Sequence, residues 1–320
     1  MPNDLTYSTV HQLDPSMVDA VAHLVEQVTE HDGLRPLSEH VWLHLREGGD
    51  EPGQHLLVQS PTGELVAYAH IDITDEVEGA SAELTVDPRH RHQGIGRHLI
   101  TLLLAMSPDG RLRLWSHGEQ AGSLPLAERM GFHRSRVLWQ MRRSLYAPLP
   151  RAILPDGITL QPFRVGVDEA AWLELNANAF THLPDQGSWD LDDLQRRIRE
   201  PWFSPEGFLM AWRGERLAGF HWTKVHGAGD RASGHHHAPM GEVYVVAVDP
   251  AERGSGLGRA LTLAGLHHLR SLDLDQAMLY VDASNTPAIA LYEGLGFARW
   301  DTDVLYRRSA PGGPDVPPDA

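Results

Sequence analysis

The sequence predicts a mixed α/β protein built from two tandem domains, and three observations lead there. Short β-branched runs alternate with amphipathic helical stretches along most of the chain. One motif occurs twice: Val86-Asp87-Pro88, two residues, then Arg91-His92-Gln93-Gly94-Ile95-Gly96, and later Val248-Asp249-Pro250, two residues, then Arg253-Gly254-Ser255-Gly256-Leu257-Gly258. The copies are offset by 162 residues (253 − 91), and Gly131-Phe132 answers Gly296-Phe297 at 165 (296 − 131). A repeat of that length denotes two domains rather than a solenoid unit.

The elements follow in order. Residues 16–29 and 41–47 carry helical periodicity, and 55–59 and 65–73 read as strands around a Pro61-Thr62-Gly63 turn. The apolar run 83–86 ends at Asp-Pro, where proline removes a ladder donor. Gly94 and Gly96 then open an apolar helix, 97–104. Strands 112–115 and 137–141 flank a short helix, 124–130, closing a first domain at 1–143. Residues 144–156 are proline-rich and read as a linker. The second domain, 157–308, repeats the order with strand 158–161, helices 168–180 and 191–198, and strands 208–212 and 217–225. Motif strand 243–248 and helix 259–269 follow, then strand 277–281, helix 287–295 and strand 300–306. The Pro-, Gly- and Asp-rich 309–320 read as a disordered tail.

Composition narrows the function. The 320 residues suffice for two cores, 42% hydrophobic content is ordinary for a globular chain, and no apolar run is long enough to span a bilayer. No signal peptide is evident, so cytoplasmic residence is expected. The absence of cysteine removes disulfides, thiolate metal sites and a cysteine nucleophile. With 43 acidic against 27 basic side chains the formal charge is −16, which disfavours nucleic acid and anionic membranes as partners.

The repeated loop has the chemistry of a phosphate site. Glycines remove the Cβ atoms that would hold a ligand off the backbone, and a helix N-terminus presents N–H groups to an anion. The spacing is neither G-x-G-x-x-G nor G-x-x-x-x-G-K-[ST], so dinucleotide-fold and P-loop readings lose.

R-x-x-G-x-G after a strand, with Asn285-x-x-Ala288 and Tyr292-x-x-x-Gly296-Phe297 further on, resembles the GNAT family of acyl-CoA-dependent N-acetyltransferases over residues 5–143 and 157–308. Within it the second half is similar to the mycothiol synthase family, through Gly219-Phe220-His221-Trp222-Thr223-Lys224-Val225-His226, the run Gly241 to Pro250, and Leu279-Tyr280-Val281-Asp282. The resemblance implies two GNAT-like domains, each a central, mostly antiparallel sheet flanked by helices. It also implies acetyl-CoA as co-substrate without a metal, and a monomer that acetylates the cysteine amine of cysteinyl-glucosaminyl-inositol. On the donor side it implies Val246, Ala247, Val248, Arg253, Gly254, Ser255, Gly256, Leu257, Gly258, Arg259, Asn285 and Ala288. The first-domain counterparts are Leu84, Thr85, Val86, His92, Gln93, Gly94, Ile95, Gly96 and Arg97. Glu39, Asp185, Lys224, Glu242 and Tyr280 fall on the acceptor side.

Acetyl transfer from a thioester needs a neutral amine, a polarised carbonyl and a stabilised leaving thiolate. Glu242 is a carboxylate in an apolar strand, and period 2 puts it on one face with Val246 and Val248, as a general base. Tyr292 follows Asn285 by seven residues, two helical turns, and its phenol suits a general acid at the CoA sulfur. Subtracting the offsets gives Ala80 (242 − 162) and Ala127 (292 − 165) in the first copy, neither able to move a proton. The first domain is therefore expected to be non-catalytic. His235-His236-His237 resembles a metal cluster, but adjacent histidines in such a loop share one ion poorly, and a solvated loop is expected. The competing functions are acetylation of another small amine or aminosugar, acetylation of protein amines, and non-catalytic acyl-CoA binding.

Overall fold

A computed structural model describes residues 4–38, 41–42, 45, 54–74, 79–118, 122–181, 183–226 and 239–309, with the backbone alone at Pro184 and Asp185. Glu39, the 235–237 histidines and the end of the chain past Ser309 lie outside the described residues. The fold is mixed α/β and divides into two compact units, Met1–Leu138 with Asp301–Ala320, and Trp139–Trp300.

In the first unit β1 (Thr6–Val10), β2 (Gln54–Gln59), β3 (Leu65–Asp72), β4 (Ala80–Val86) and β5 (Leu112–Ser116) lie side by side in that order. All neighbours are antiparallel except β4 and β5. Helix α1 (Pro15–Asp32) starts where Asp14 accepts the Met17 N–H and Pro15 fixes the first φ; it stops at Gly33, which is left-handed at φ +77°. Its Val21, Leu24, Val25 and Val28 pack with Leu57, Leu65 and Tyr68. Helix α2 (Ile95–Met106) follows the motif and buries Ile95, Leu99, Ile100 and Leu103 against Val58, Ala67, Ala69 and Ala82. Short α3 (Ser123–Arg129) leads into β6 (His133–Ser144). The edge strand β1 escaped the sequence reading because Thr6-Tyr7-Ser8-Thr9-Val10 shows little apolar alternation.

The second unit repeats the plan with β7 (Ile158–Pro162), α4 (Glu169–Ala179), α5 (Pro184–Gly187), α6 (Leu191–Ile198), β8 (Phe208–Arg213), β9 (Arg216–His226) and β10 (Met240–Val248). Helix α7 (Leu257–Ser271), β11 (Gln276–Asp282), α8 (Thr286–Glu293) and β12 (Ala298–Arg308) complete it in sequence. Strands β7, β8, β9 and β10 are antiparallel neighbours, and β11 joins β10 in parallel. Apart from the expected helix 41–47, most of which lies outside the described residues, the sequence-predicted strands and helices are present, most with ends shifted by a few residues.

The division differs from the expected break at 144–156. The end of β6, from Trp139, belongs to the second unit, where it neighbours β11 and buries Met141 with Leu279 and Phe297. The end of β12, from Asp301, belongs to the first: Val304 to Arg308 pair antiparallel with β5, and Val304 and Tyr306 enter its core. Periodicity reports that a strand is buried but not which sheet edge it pairs with.

A second difference lies within β10. Strand β4 runs regularly against β3, whereas β10 carries a bulge against β9 between Val243 and Val245. Tyr244 is the extra residue. Beyond it Val245 and Ala247 pack with Trp172 and Phe208, while Val246 and Val248 pack with Leu257 and Leu261. The bulge inverts the alternation. Glu242 and Val246 therefore face opposite sides of the sheet, and the period-2 expectation that they share a face is overturned. Both ladders also re-index the repeat: Glu242 pairs with Lys224 and Met278, as Ser81 pairs with Asp72 and Arg113. Ser81, not Ala80, is the counterpart of Glu242.

Candidate active site

The two motif loops have one backbone. Asp87 and Asp249 each accept, through Oδ1, the N–H two residues on at 2.8 Å, opening a turn of 3-10 helix. Their own N–H groups bond Val66 O and Ala218 O, both at 2.9 Å. Gly94 and Gly256 are left-handed at φ +86° and +87°. His92 adopts φ +60° where the second copy has Gly254 at +79°, so a strained side chain sits where the second loop has none. Gly258 opens α7, and a Cβ there would make only an ordinary 3.6 Å contact with Val248. The missing side chain thus leaves backbone open rather than relieving an internal clash. The first-turn N–H groups of Gly258 and Arg259 have no intrahelical acceptor and stand ready for an anion.

The cations beside the loops differ. Arg91 is engaged by Asp32 through two bonds of 2.9 and 2.6 Å and donates from Nε to Val86 O at 3.1 Å. Burial pushes the Asp32 carboxyl up, but the Arg91 and His31 hydrogen bonds outweigh it and leave it below the ordinary range. The Arg253 and Arg259 side chains are exposed and form no ion pair or hydrogen bond among the described residues. Glu252 supports the second loop from beneath. Arg213 grips it at 2.8 Å through two bonds and Arg216 at 2.5 Å, which holds its carboxyl at about 2.

Both parallel pairs come apart. Strand β10 matches β11 only from Gly241 to Val243, and β4 matches β5 only from Ala80 to Ala82. Beyond these points the strands separate, and the backbone edge that faced the neighbour loses its ladder partner. Glu242 lies one residue before this opening.

Its carboxylate is buried, 6% exposed, on the face that carries Lys224 and Tyr244. His226 Nε2 lies 2.6 Å from Glu242 Oε2. Lys224 is also buried, its ammonium 4.6 Å from the Trp202 ring centre and 5.3 Å from that of Tyr244, a cation–π setting. Arg197 stacks at 3.6 Å over Trp189 and donates to the Tyr244 hydroxyl at 2.9 Å. The bulge residue therefore carries the aromatic wall beside Glu242. Sequence reading missed Tyr244 and the His226 contact. The unbroken apolar run 243–248 held no alternation from which a bulge could be read.

Tyr292 occupies the other face, among Leu279, Val281, Ile289 and Phe297. Its ring meets Phe297 edge-on at 5.9 Å, and burial pushes its phenol up to about 12. Because Glu242 and Tyr292 sit on opposite faces, the opening between β10 and β11 is the place where a reacting group could meet both. Asn285 is the N-cap of α8, exposed, with Oδ1 accepting the Ala288 N–H at 3.2 Å. Both residues expected to hold the donor are thus engaged with each other. Tyr280 shares the Met278 face of β11, and its hydroxyl accepts from Gln140 Nε2 at 2.8 Å. Asp185 lies on the backbone of α5.

At the matching opening of the first unit neither candidate proton-transfer side chain recurs. Ser81 stands for Glu242. Ala127 stands for Tyr292, its carbonyl taking the Phe132 N–H at 2.9 Å as Tyr292 takes that of Phe297 at 3.0 Å. Glu83, the nearby carboxylate, is held by the Ser38 N–H at 2.6 Å and by His117 at 3.4 Å.

A glycine loop before a helix, beside a parallel pair that opens next to a buried carboxylate, is the arrangement the family resemblance leads one to expect. The chain matches the acetyltransferase (GNAT) family over residues 20–132 and 170–297 and belongs to that family. It is an acetyl-CoA-dependent N-acetyltransferase with two GNAT domains. Among its relatives is the mycothiol acetyltransferase of Acidothermus cellulolyticus, 52% identical over 96% of this chain and 96% of that protein. The mycothiol acetyltransferase of Streptosporangium roseum is also 52% identical, over 93% and 97%. Among solved structures, a GCN5-related N-acetyltransferase from Sphaerobacter thermophilus aligns with TM-score 0.71 at 25% identity, covering 99% of each chain. A tandem GNAT protein from the clavulanic acid biosynthesis pathway aligns with TM-score 0.74 at 20% identity over 98% and 100%, a likeness of fold alone.

Proposed function

We propose that the chain acetylates the cysteine amine of cysteinyl-glucosaminyl-inositol, forming mycothiol, and that the second unit alone carries the chemistry. The observation that carries the site is the end of the β10–β11 ladder at Val243, one residue past Glu242. The acceptor follows from the full-length relatives named mycothiol acetyltransferase.

Acetyl-CoA binds with its phosphates at the α7 N-terminus and Arg253 and its thioester in the opening. Glu242 takes the ammonium proton of the acceptor, directly or through water, and the freed amine attacks the carbonyl carbon. A β10 backbone N–H near Val246, on the edge that β11 has left, receives the oxyanion. The C–N bond forms, the C–S bond breaks, the nitrogen gives up its second proton to solvent or to the departing sulfur, and Tyr292 donates a hydrogen bond to that sulfur. A phenol at about 12 keeps its proton throughout the working range. Full transfer to a thiolate of ordinary basicity, about 8.5, is uphill. Tyr292 therefore acts chiefly as a hydrogen-bond donor in the transition state.

The test is acetyl-CoA consumption with cysteinyl-glucosaminyl-inositol, with N-acetylation of the product established by mass. Glu242→Gln should lower kcat by about 10²–10⁴, and Tyr292→Phe by about 10²–10³. Wild-type rates in both variants would remove this mechanism. No turnover of this acceptor would remove the acceptor.

A further inference from the structure

We propose that His226 is a positioning residue for acetyl transfer, holding one oxygen of Glu242 so that the other faces the acceptor. The proposal rests on the reading of Glu242 as the general base.

A buried carboxylate needs donors to stay ionised and a defined orientation to take a proton from one direction. The groups around Glu242 supply both unequally. Directly across the β9–β10 ladder Lys224 faces two aromatic rings. Across the β10–β11 ladder stands Met278, which donates nothing. Tyr280, on the same face of β11, has its hydroxyl engaged by Gln140. The contact to the carboxylate comes from His226, which pairs with Met240 two residues along and so reaches Glu242 diagonally, Nε2 to Oε2 at 2.6 Å. Oε1 accepts no hydrogen bond from a described residue. An imidazole carrying its proton on Nε2 thus fixes the carboxylate's rotation and leaves one oxygen to work.

The first unit supplies an independent comparison. Its β3–β4 ladder ends at Asp72 and Ser81, the counterparts of Lys224 and Glu242, and two residues further on, past the end of that ladder, Thr74 stands at the position that answers to His226. Thr74 spends its N–H on Asp72 at 2.8 Å. The base and its partner are present together in one copy and missing together in the other.

The experiment uses the full chain, acetyl-CoA and cysteinyl-glucosaminyl-inositol. His226→Gln keeps an amide N–H at about the reach of Nε2, while His226→Asn is too short. His226→Asn should lower kcat about ten- to hundredfold, the cost of a misplaced catalytic group. The KM for acetyl-CoA should not move, and His226→Gln should recover most of the loss. In a Glu242→Gln background, His226→Asn should change the residual rate by less than about twofold, because both substitutions remove one unit. An inactive Glu242→Gln beside a fully active His226→Asn would overturn this proposal alone. Equal impairment of the Asn and Gln variants, or additive losses in the double variant, would overturn it too, leaving a structural role. Full activity of Glu242→Gln, or no wild-type turnover of this acceptor, would overturn the reading beneath it.

Discussion

Two arginines at one motif position have different work, and the difference is electrostatic. Arg91 spends its guanidinium on Asp32, 59 residues earlier in the chain, whereas Arg253 has no such partner among the described residues. Replacing Arg253 by Ala should raise the KM for acetyl-CoA about tenfold or more, the value of a charge-assisted hydrogen bond of about 1.5–3 kcal/mol. Arg91→Ala should leave that KM unchanged and lower the melting midpoint of the first unit, measured by calorimetry. The loops' backbone was legible, because glycine and arginine at fixed spacing between strand and helix marked the same turn in both copies. The Asp32 partner was not, since no local pattern couples the end of α1 to the motif. Tyr292 gives a pH prediction at the same scale. Its phenol titrates at about 12, so a protonated donor persists as pH rises and is lost only near that value. The fold-loss caused by Tyr292→Phe should therefore be constant from pH 7 to 10. A wild-type advantage that fades within this range would assign the donor role elsewhere.

At the scale of elements, what was hidden is what depends on contact across the sheet. The repeat of strand, loop and helix was visible because both copies keep their glycines. The Tyr244 bulge was not, because one extra residue in an apolar run changes faces without changing composition. Helix α7 shows the same limit. Gly265 lies in its middle, where Ala would ordinarily favour the helix by about 1 kcal/mol. A Cβ there would stand 2.0 Å from the His221 ring. That imidazole is fully buried, donates from Nδ1 to Leu261 O at 2.7 Å, and is pushed down to about 4 by burial, so it is neutral at working pH. Gly265→Ala should therefore destabilise the second unit by about 1–3 kcal/mol, an overpacking cost larger than the helix gain. Chemical denaturation measures it, and a stabilised variant would show that the helix can slide off β9.

For the whole molecule the consequence lies in which residues complete each unit. The tandem plan was legible, but the ownership of the last strands was not, since either sheet edge satisfies the same alternating pattern. Val304 and Tyr306 sit in the first core, and Asp303 receives His117 at 3.0 Å and the Gly118 N–H at 3.0 Å. Burial draws the His117 imidazole down, but its bonds to Asp303 and Glu83 outweigh this and push it up to about 10. A raised folded value means the stabilisation is complete below about 6.5, the unfolded value, and is lost as pH climbs through 10. The first unit should thus melt progressively lower between pH 7 and 10, and Asp303→Asn should flatten that slope. Ending the chain at residue 300 is the stronger test. It removes three buried apolar side chains, Val304, Leu305 and Tyr306, worth about 1.5–3 kcal/mol each, a ladder strand, and one partner of a buried ion pair whose loss costs about 3–5 kcal/mol. Together these rival the 5–15 kcal/mol that hold an ordinary domain. Calorimetry of the shortened chain should show the first unit's transition gone and the second's retained, while a chain ending at Ser309 keeps both. A first unit that still melts cooperatively without residues 301–308 would mean that its sheet is complete at β5.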